Sequence, residues 1–150
     1  MNIDDDFKEI MLYAHYWNWL PDWNEVEKIY DTFPYSYSVL TPFAYSYLEE
    51  LIRSTTSEYG RELFDKNGKE IKRKVGIDLI NKAIYENKEN VEYVSILKDI
   101  KKYYERSKVT DCGNNRNSVN HGYLHSGFWT KESFEHLIHD IARISKFSGF

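Results

Sequence analysis

The sequence predicts an all-α fold, an up-and-down bundle of four to six helices, and three observations carry that prediction. Apolar residues recur at spacings of three and four instead of alternating. The chain holds only three Pro and seven Gly, too few to punctuate a run of short strands. Its balance of 41% hydrophobic and 29% charged residues is that of a folded globular protein. At 150 residues there is room for one well-buried core, so 1–150 reads as a single domain.

The elements follow in chain order. A first helix over 6–19 has an acidic start that suits the helix dipole and stops at Leu20-Pro21. A shorter one spans 22–30 and ends before Pro34. Thr41-Pro42 reads as an N-cap followed by proline in the first turn. It opens a helix through about residue 57, with Phe43, Tyr47, Leu48, Leu51 and Ile52 facing inward. The charged stretch 61–74 contains Asn67-Gly68, a turn signal, and is the best candidate for a mobile loop. Helical pattern resumes over 76–87 and 91–106, the second with Val91, Val94, Leu97, Ile100 and Tyr104 in register. A polar break covers 107–115. Thr130 caps a last helix with Phe134, Leu137, Ile138, Ile141 and Ile144 inward.

Composition narrows the function. A formal charge of −4 is the opposite of the footprint of a protein that grips nucleic acid by bulk electrostatics, although a local pocket can still bind a phosphate. The single Cys112 excludes an internal disulfide. The acidic run Asp4-Asp5-Asp6 stands where a targeting peptide would carry basic and then apolar residues, and no stretch approaches the length of a membrane span. These features predict a cytoplasmic protein. Aromatics make up 17% of the chain. The cluster Tyr13, Tyr16, Trp17, Trp19 and Trp23 serves core or dimer packing, or else base stacking.

Chemistry-bearing residues concentrate in Asn115-Arg116-Asn117-Ser118-Val119-Asn120-His121-Gly122-Tyr123. A neutral imidazole near pH 7 takes up and returns protons, which makes His121 a candidate general base. A guanidinium stays ionised and presents a planar fork to phosphate oxygens, which makes Arg116 a candidate anion ligand. Asn117 adds a neutral donor and acceptor beside it. Residues five apart on a helix are separated by about 140°. Arg116 and His121 of one chain therefore converge only by long side-chain reach or across an interface.

This arrangement resembles the HEPN domains (higher eukaryotes and prokaryotes nucleotide-binding). It is similar in particular to the R-x-x-x-x-H-x-Y variant found in toxins paired with minimal nucleotidyltransferases. The resemblance implies a homodimer whose protomers bring their motifs together in one composite site. It also implies a metal-independent endoribonuclease that needs no cofactor. In it His121 removes the ribose 2′-hydroxyl proton of an RNA substrate, Arg116 stabilises the attacked phosphate, and Asn117 orients the ribose or the imidazole. A nucleotidyltransferase-type antitoxin is the implied partner in a toxin–antitoxin or phage-defence pair, with Tyr123 at the position that such a partner adenylylates. Sites of this kind draw polar groups from another helix of the bundle, and Glu50 is the candidate here.

Two other functions stay open: a non-catalytic module of the same fold that holds a nucleotide or a partner, and a helical interaction protein with a coincidental motif. In the latter Arg116 caps carbonyls or pairs with an acid. His121 and His125 have a metal-binding spacing and Cys112 is a conceivable third ligand, but Gly122 and Gly127 interrupt the helix, so no metal site is expected. His136 and His139 lie on a helix surface with Glu135 and Asp140, as solvated groups or a partner contact. Glu49 and Glu50 precede Arg53 at i+4 and i+3, a spacing that supports a helix by a few tenths of a kcal/mol. The basic run Lys69, Lys72, Arg73 and Lys74 is either a solvated loop or a guide for a phosphate backbone, and the latter requires RNA binding that weakens with salt.

Overall fold

Asn2 opens the first helix by accepting a hydrogen bond from the Asp4 amide at 3.2 Å, and Asp4, Asp5 and Asp6 fill the first turn, where the helix dipole favours negative charge. The structure is a computed structural model and describes residues 2–33, 35–122 and 125–150. Helix α1 runs Ile3–Tyr13, shorter than predicted at its C-terminal end. The reason lies in His15, whose ring Nδ1 accepts from the amides of Trp17 and Asn18, both at 3.3 Å. A side chain that captures the next backbone donors offers the chain a turn in place of a further helical turn. Pro21, read from sequence as a stop, instead sits in the first turn of α2, Leu20–Thr32, where its missing N–H costs nothing.

Helix α3, Tyr37–Ser54, begins a turn earlier than Thr41-Pro42 suggested and ends before residue 57. Burying Leu40, with Tyr37 packed against the core, draws that extra turn into the helix. Thr41 then lies inside it and donates its hydroxyl to the Tyr37 carbonyl at 2.7 Å. Residues 61–75 form a tight turn in which the Asp65 carboxylate accepts from the amides of Asn67 and Lys69 at 2.8 and 2.9 Å. A single antiparallel bridge joins Phe64 to Glu70. Helices α4, Gly76–Glu86, and α5, Val91–Ile100, follow, and a 3₁₀ turn at Lys101–Tyr104 extends α5. Leu97, Ile100 and Tyr104 are buried as predicted, whereas Val91 is 79% exposed and Tyr93 and Ile96 take the inward positions. At the first residue of a helix the apolar register is not yet enforced by neighbours.

Helix α6, Arg116–Asn120, is one turn long. A 3₁₀ turn at Ser126–Phe128 precedes α7, Lys131–Ser145. Among the described residues there are thus seven α-helices, the six marked in the sequence and the short turn that carries the motif. No helix among them is long and apolar enough to cross a membrane.

The buried apolar side chains form one cluster. Helix α7 packs against α1, α3 and α5, and α3 packs against α2, α4, α6 and α7. All five predicted inward residues of α7 are fully buried. Replacing Leu137 by Ala is expected to lower stability by about 2–5 kcal/mol, measured by denaturant unfolding.

One polar pairing is built into this core. Tyr103 donates to Asp140 at 2.7 Å, and Arg143 and Lys102 reach the same carboxylate at 2.9 and 3.3 Å. Burial pushes the Asp140 carboxyl up, but these donors outweigh it and hold the group below its ordinary range. A carboxyl depressed in the folded state contributes stability that is complete above its unfolded value of about 4 and is lost on acidification. Asp140→Asn should therefore melt at a lower temperature than the parent at pH 7. The gap should narrow as pH falls below about 4, followed by circular dichroism.

Candidate functional site

The motif turn is organised by Asn115, a residue that the sequence reading left in the loop. Its side-chain oxygen accepts from the amides of Asn117 and Ser118 at 2.9 and 3.1 Å, an N-cap of the usual kind, and its Nδ2 donates to the Glu105 carbonyl at 2.9 Å. Asn115 and Ser118 are buried, and Val119 enters the core beside them. The preceding loop is pinned as well. The buried hydroxyl of Tyr45 on α3 donates to the Gly113 carbonyl at 3.0 Å. Gly113 has φ +90°, and a Cβ there would meet Trp129 Cβ at 2.9 Å, so only glycine fits. The polar break of the sequence is therefore a shaped support for α6.

Arg116 leaves the first position of α6 toward α3. Its Nη2 pairs with Glu49 at 2.8 Å, with side chains only 16% and 11% exposed. The other oxygen of the same carboxylate reaches Arg53 at 3.3 Å. Arg53 also donates to Glu50 at 2.8 Å and to the Lys74 carbonyl at 3.0 Å. One carboxylate thus bridges two guanidiniums, and two acids balance two bases. Beside them Tyr104 is buried with its hydroxyl unpaired. Burial foremost, then the Glu49 charge, push that hydroxyl far up, against the opposing pull of Arg116 and Arg53, so Tyr104 stays a neutral donor. The Nε atoms of Arg53 and Arg116 are likewise buried without a partner.

Asn117 accepts a long contact from Arg116 Nη1 at 3.4 Å and donates to the Glu105 carbonyl at 3.3 Å. His121 caps the other end of α6 and is exposed. The two ends of the motif therefore diverge, Arg116 toward α3 and His121 toward solvent, as their five-residue separation implies. Tyr123 lies outside the described residues. Glu50, chosen from sequence as the group lent by another helix, touches Arg53, and the carboxylate that meets Arg116 is its neighbour Glu49. The signal was available: Glu49 falls in the apolar stripe Tyr45, Leu48, Ile52, where a carboxylate demands a partner.

Three other side chains singled out in the sequence have local partners. His125 accepts from the Gly127 amide at 2.9 Å, Cys112 lies 3.2 Å from the Ser133 hydroxyl, and His139 joins Asp6 at 3.0 Å. Among the described residues no three His, Cys, Asp or Glu side chains converge as a metal site. Of the aromatic cluster, Trp23 is fully buried, whereas Tyr16 and Trp17 are 76% and 74% exposed. No family model, curated protein or solved structure matches the chain.

Removing one member of a buried ion pair strands the other. Glu49→Ala is expected to cost about 3 kcal/mol in denaturant unfolding. Glu92→Ala, which removes the exposed pair with Lys146, should cost less than about 1 kcal/mol. Equal losses would show that the bridge between α3 and α6 is not a buried network.

Proposed function

We propose that this chain is a metal-independent endoribonuclease of the HEPN type, acting as a homodimer. The observation that supports it is the division of labour on α6: a guanidinium held in place from α3 at one end of a single turn, and an exposed imidazole at the other. Fixing Arg116 by Glu49 removes side-chain freedom before any substrate arrives, and preorganised charge is what stabilises a transition state. The amide of His121 closes α6 on the Asn117 carbonyl at 3.1 Å, while its ring has no hydrogen-bond partner among the described residues and is exposed to an RNA strand.

In the reaction His121 takes the proton of a ribose 2′-hydroxyl and the 2′-oxygen bonds to the adjacent phosphorus. The P–O5′ bond breaks and the departing oxygen takes a proton, leaving a 2′,3′-cyclic phosphate and a 5′-hydroxyl end. Arg116 faces the negative charge that builds on the phosphoryl oxygens, and Asn117 lies beside it to orient the ribose. Since the two ends of one motif diverge, a second protomer supplies the complementary half. A toxin role, a nucleotidyltransferase-type antitoxin and modification of Tyr123 belong to the same proposal.

A second reading is favoured by one feature: Glu49 offsets the charge of Arg116, and little of the guanidinium is exposed. A site so neutralised suits a module that binds a nucleotide or partner and cuts nothing.

The two readings separate in a cleavage assay with chelator present. His121→Ala is expected to lower the rate by about 10²–10⁴ and Arg116→Ala by about 10²–10³, each with an unchanged helical spectrum. Equal cleavage by parent and both variants removes the ribonuclease, and nucleotide affinity without turnover selects the binding module.

A further inference from the structure

The surface most unlike the rest of the molecule is the tight turn at 61–75. It carries six cations, Arg61, Lys66, Lys69, Lys72, Arg73 and Lys74, against three acids, Glu62, Asp65 and Glu70. The segment is therefore +3, and the rest of the chain carries −7 of the total of −4. All six cations are exposed. Among the described residues none of the six side chains forms an ion pair. Of the fourteen Lys and Arg outside the segment, nine form an ion pair, as Lys28 does with Glu25 at 2.8 Å. One of the three acids is spent on geometry, since the Asp65 carboxylate organises the turn.

The turn is also tied to the motif. The Lys74 amide donates to the buried Glu58 carboxylate at 2.9 Å, and the Lys74 carbonyl accepts from Arg53 at 3.0 Å. Arg53 shares the Glu49 carboxylate with Arg116. Three short contacts thus separate the base of the turn from the motif guanidinium. Phe64, 55% exposed on the same turn, adds an aromatic face amid the cations, the pairing with which proteins hold unpaired bases.

We propose that residues 61–75 form an RNA-binding arm, with its Lys and Arg side chains on successive phosphates and Phe64 stacked on a base, holding the strand beside the Arg116 site. The proposal rests on the ribonuclease reading for its choice of polyanion. It resolves a conflict within that reading, because an acidic protein cannot attract RNA with its surface as a whole and needs a local basic one.

The test uses a labelled single-stranded RNA of about 20 nucleotides with 2′-O-methyl riboses, which cannot be cut, so that binding is read separately from cleavage. Fluorescence anisotropy is recorded from low to moderate salt. The parent is compared with the variant Lys66→Gln, Lys69→Gln, Lys72→Gln, Arg73→Gln, with Phe64→Ser, and with the control Lys8→Gln, Lys28→Gln. Each lost phosphate contact lowers the salt slope by about 0.7, so the quadruple variant should lose most of that slope and more than about tenfold in affinity at low salt. Phe64→Ser should weaken binding about tenfold. The control should bind as the parent does, and helical spectra should match throughout, since the altered side chains are exposed.

Equal affinity and slope for parent and quadruple variant overturn the arm, as does a parent that binds no RNA. Vesicles containing phosphatidylserine, bound through the same four cations in preference to RNA, overturn it in favour of a membrane partner. A parent that binds through the arm yet leaves ordinary RNA uncut supports the arm and removes the ribonuclease.

Discussion

A carboxylate inside a helical core has to be paired, and the arrangement of this protein around α3 follows from that constraint. Glu49 lies in a stripe that is otherwise apolar, on a helix enclosed by four others. An unpaired charge in that position would cost several kcal/mol. Arg53 satisfies it from the same helix and Arg116 from another. The second pairing fixes where α6 sits, while the first carries the network outward to the base of the 61–75 turn. A single acid thus relates three segments distant in sequence. Tyr104, neutral and buried at the edge of the cluster, completes the wall without adding charge.

Much of this architecture was legible wherever one physical rule acts alone. The inward face of α7 and its Thr130 cap follow from period and capping chemistry, and both are present. Legibility failed where two rules compete. His15 stops α1 with a side-chain acceptor that no periodicity shows. Thr41-Pro42 is a fair N-terminus locally, but the burial of Leu40 extends α3 past it. At the site, the types Arg, Asn and His could be read, and so could the divergence of the two ends. The choice between Glu49 and Glu50 could not be made from helix-pair spacing, because both are neighbours of Arg53. It depended on which of the two falls on the stripe facing α6.

The shape of the motif support has a bearing on how Arg116 can act. Asn115, Ser118 and Val119 are buried, Gly113 fits closely against Trp129, and Tyr45 holds the loop from α3. Movement of Arg116 therefore requires either rotation of its own side chain or separation of α6 from α3. Among the described residues no side chain holds the His121 ring in this way. With a held cation and an exposed imidazole on the same turn, the imidazole is the more adaptable member of the pair among the described residues.

Glu49 and Arg116 are 67 positions apart in the chain, and that separation has a consequence in time. Individual helices form within about a microsecond, whereas contacts between remote segments must await closure of the intervening loop. The bridge is a contact of this kind, and it requires α3 and the 107–115 support to be brought together first. A chain still emerging from the ribosome, or one partly unfolded, can display His121 but cannot hold Arg116. Any activity that needs both residues in place is confined to the finished fold.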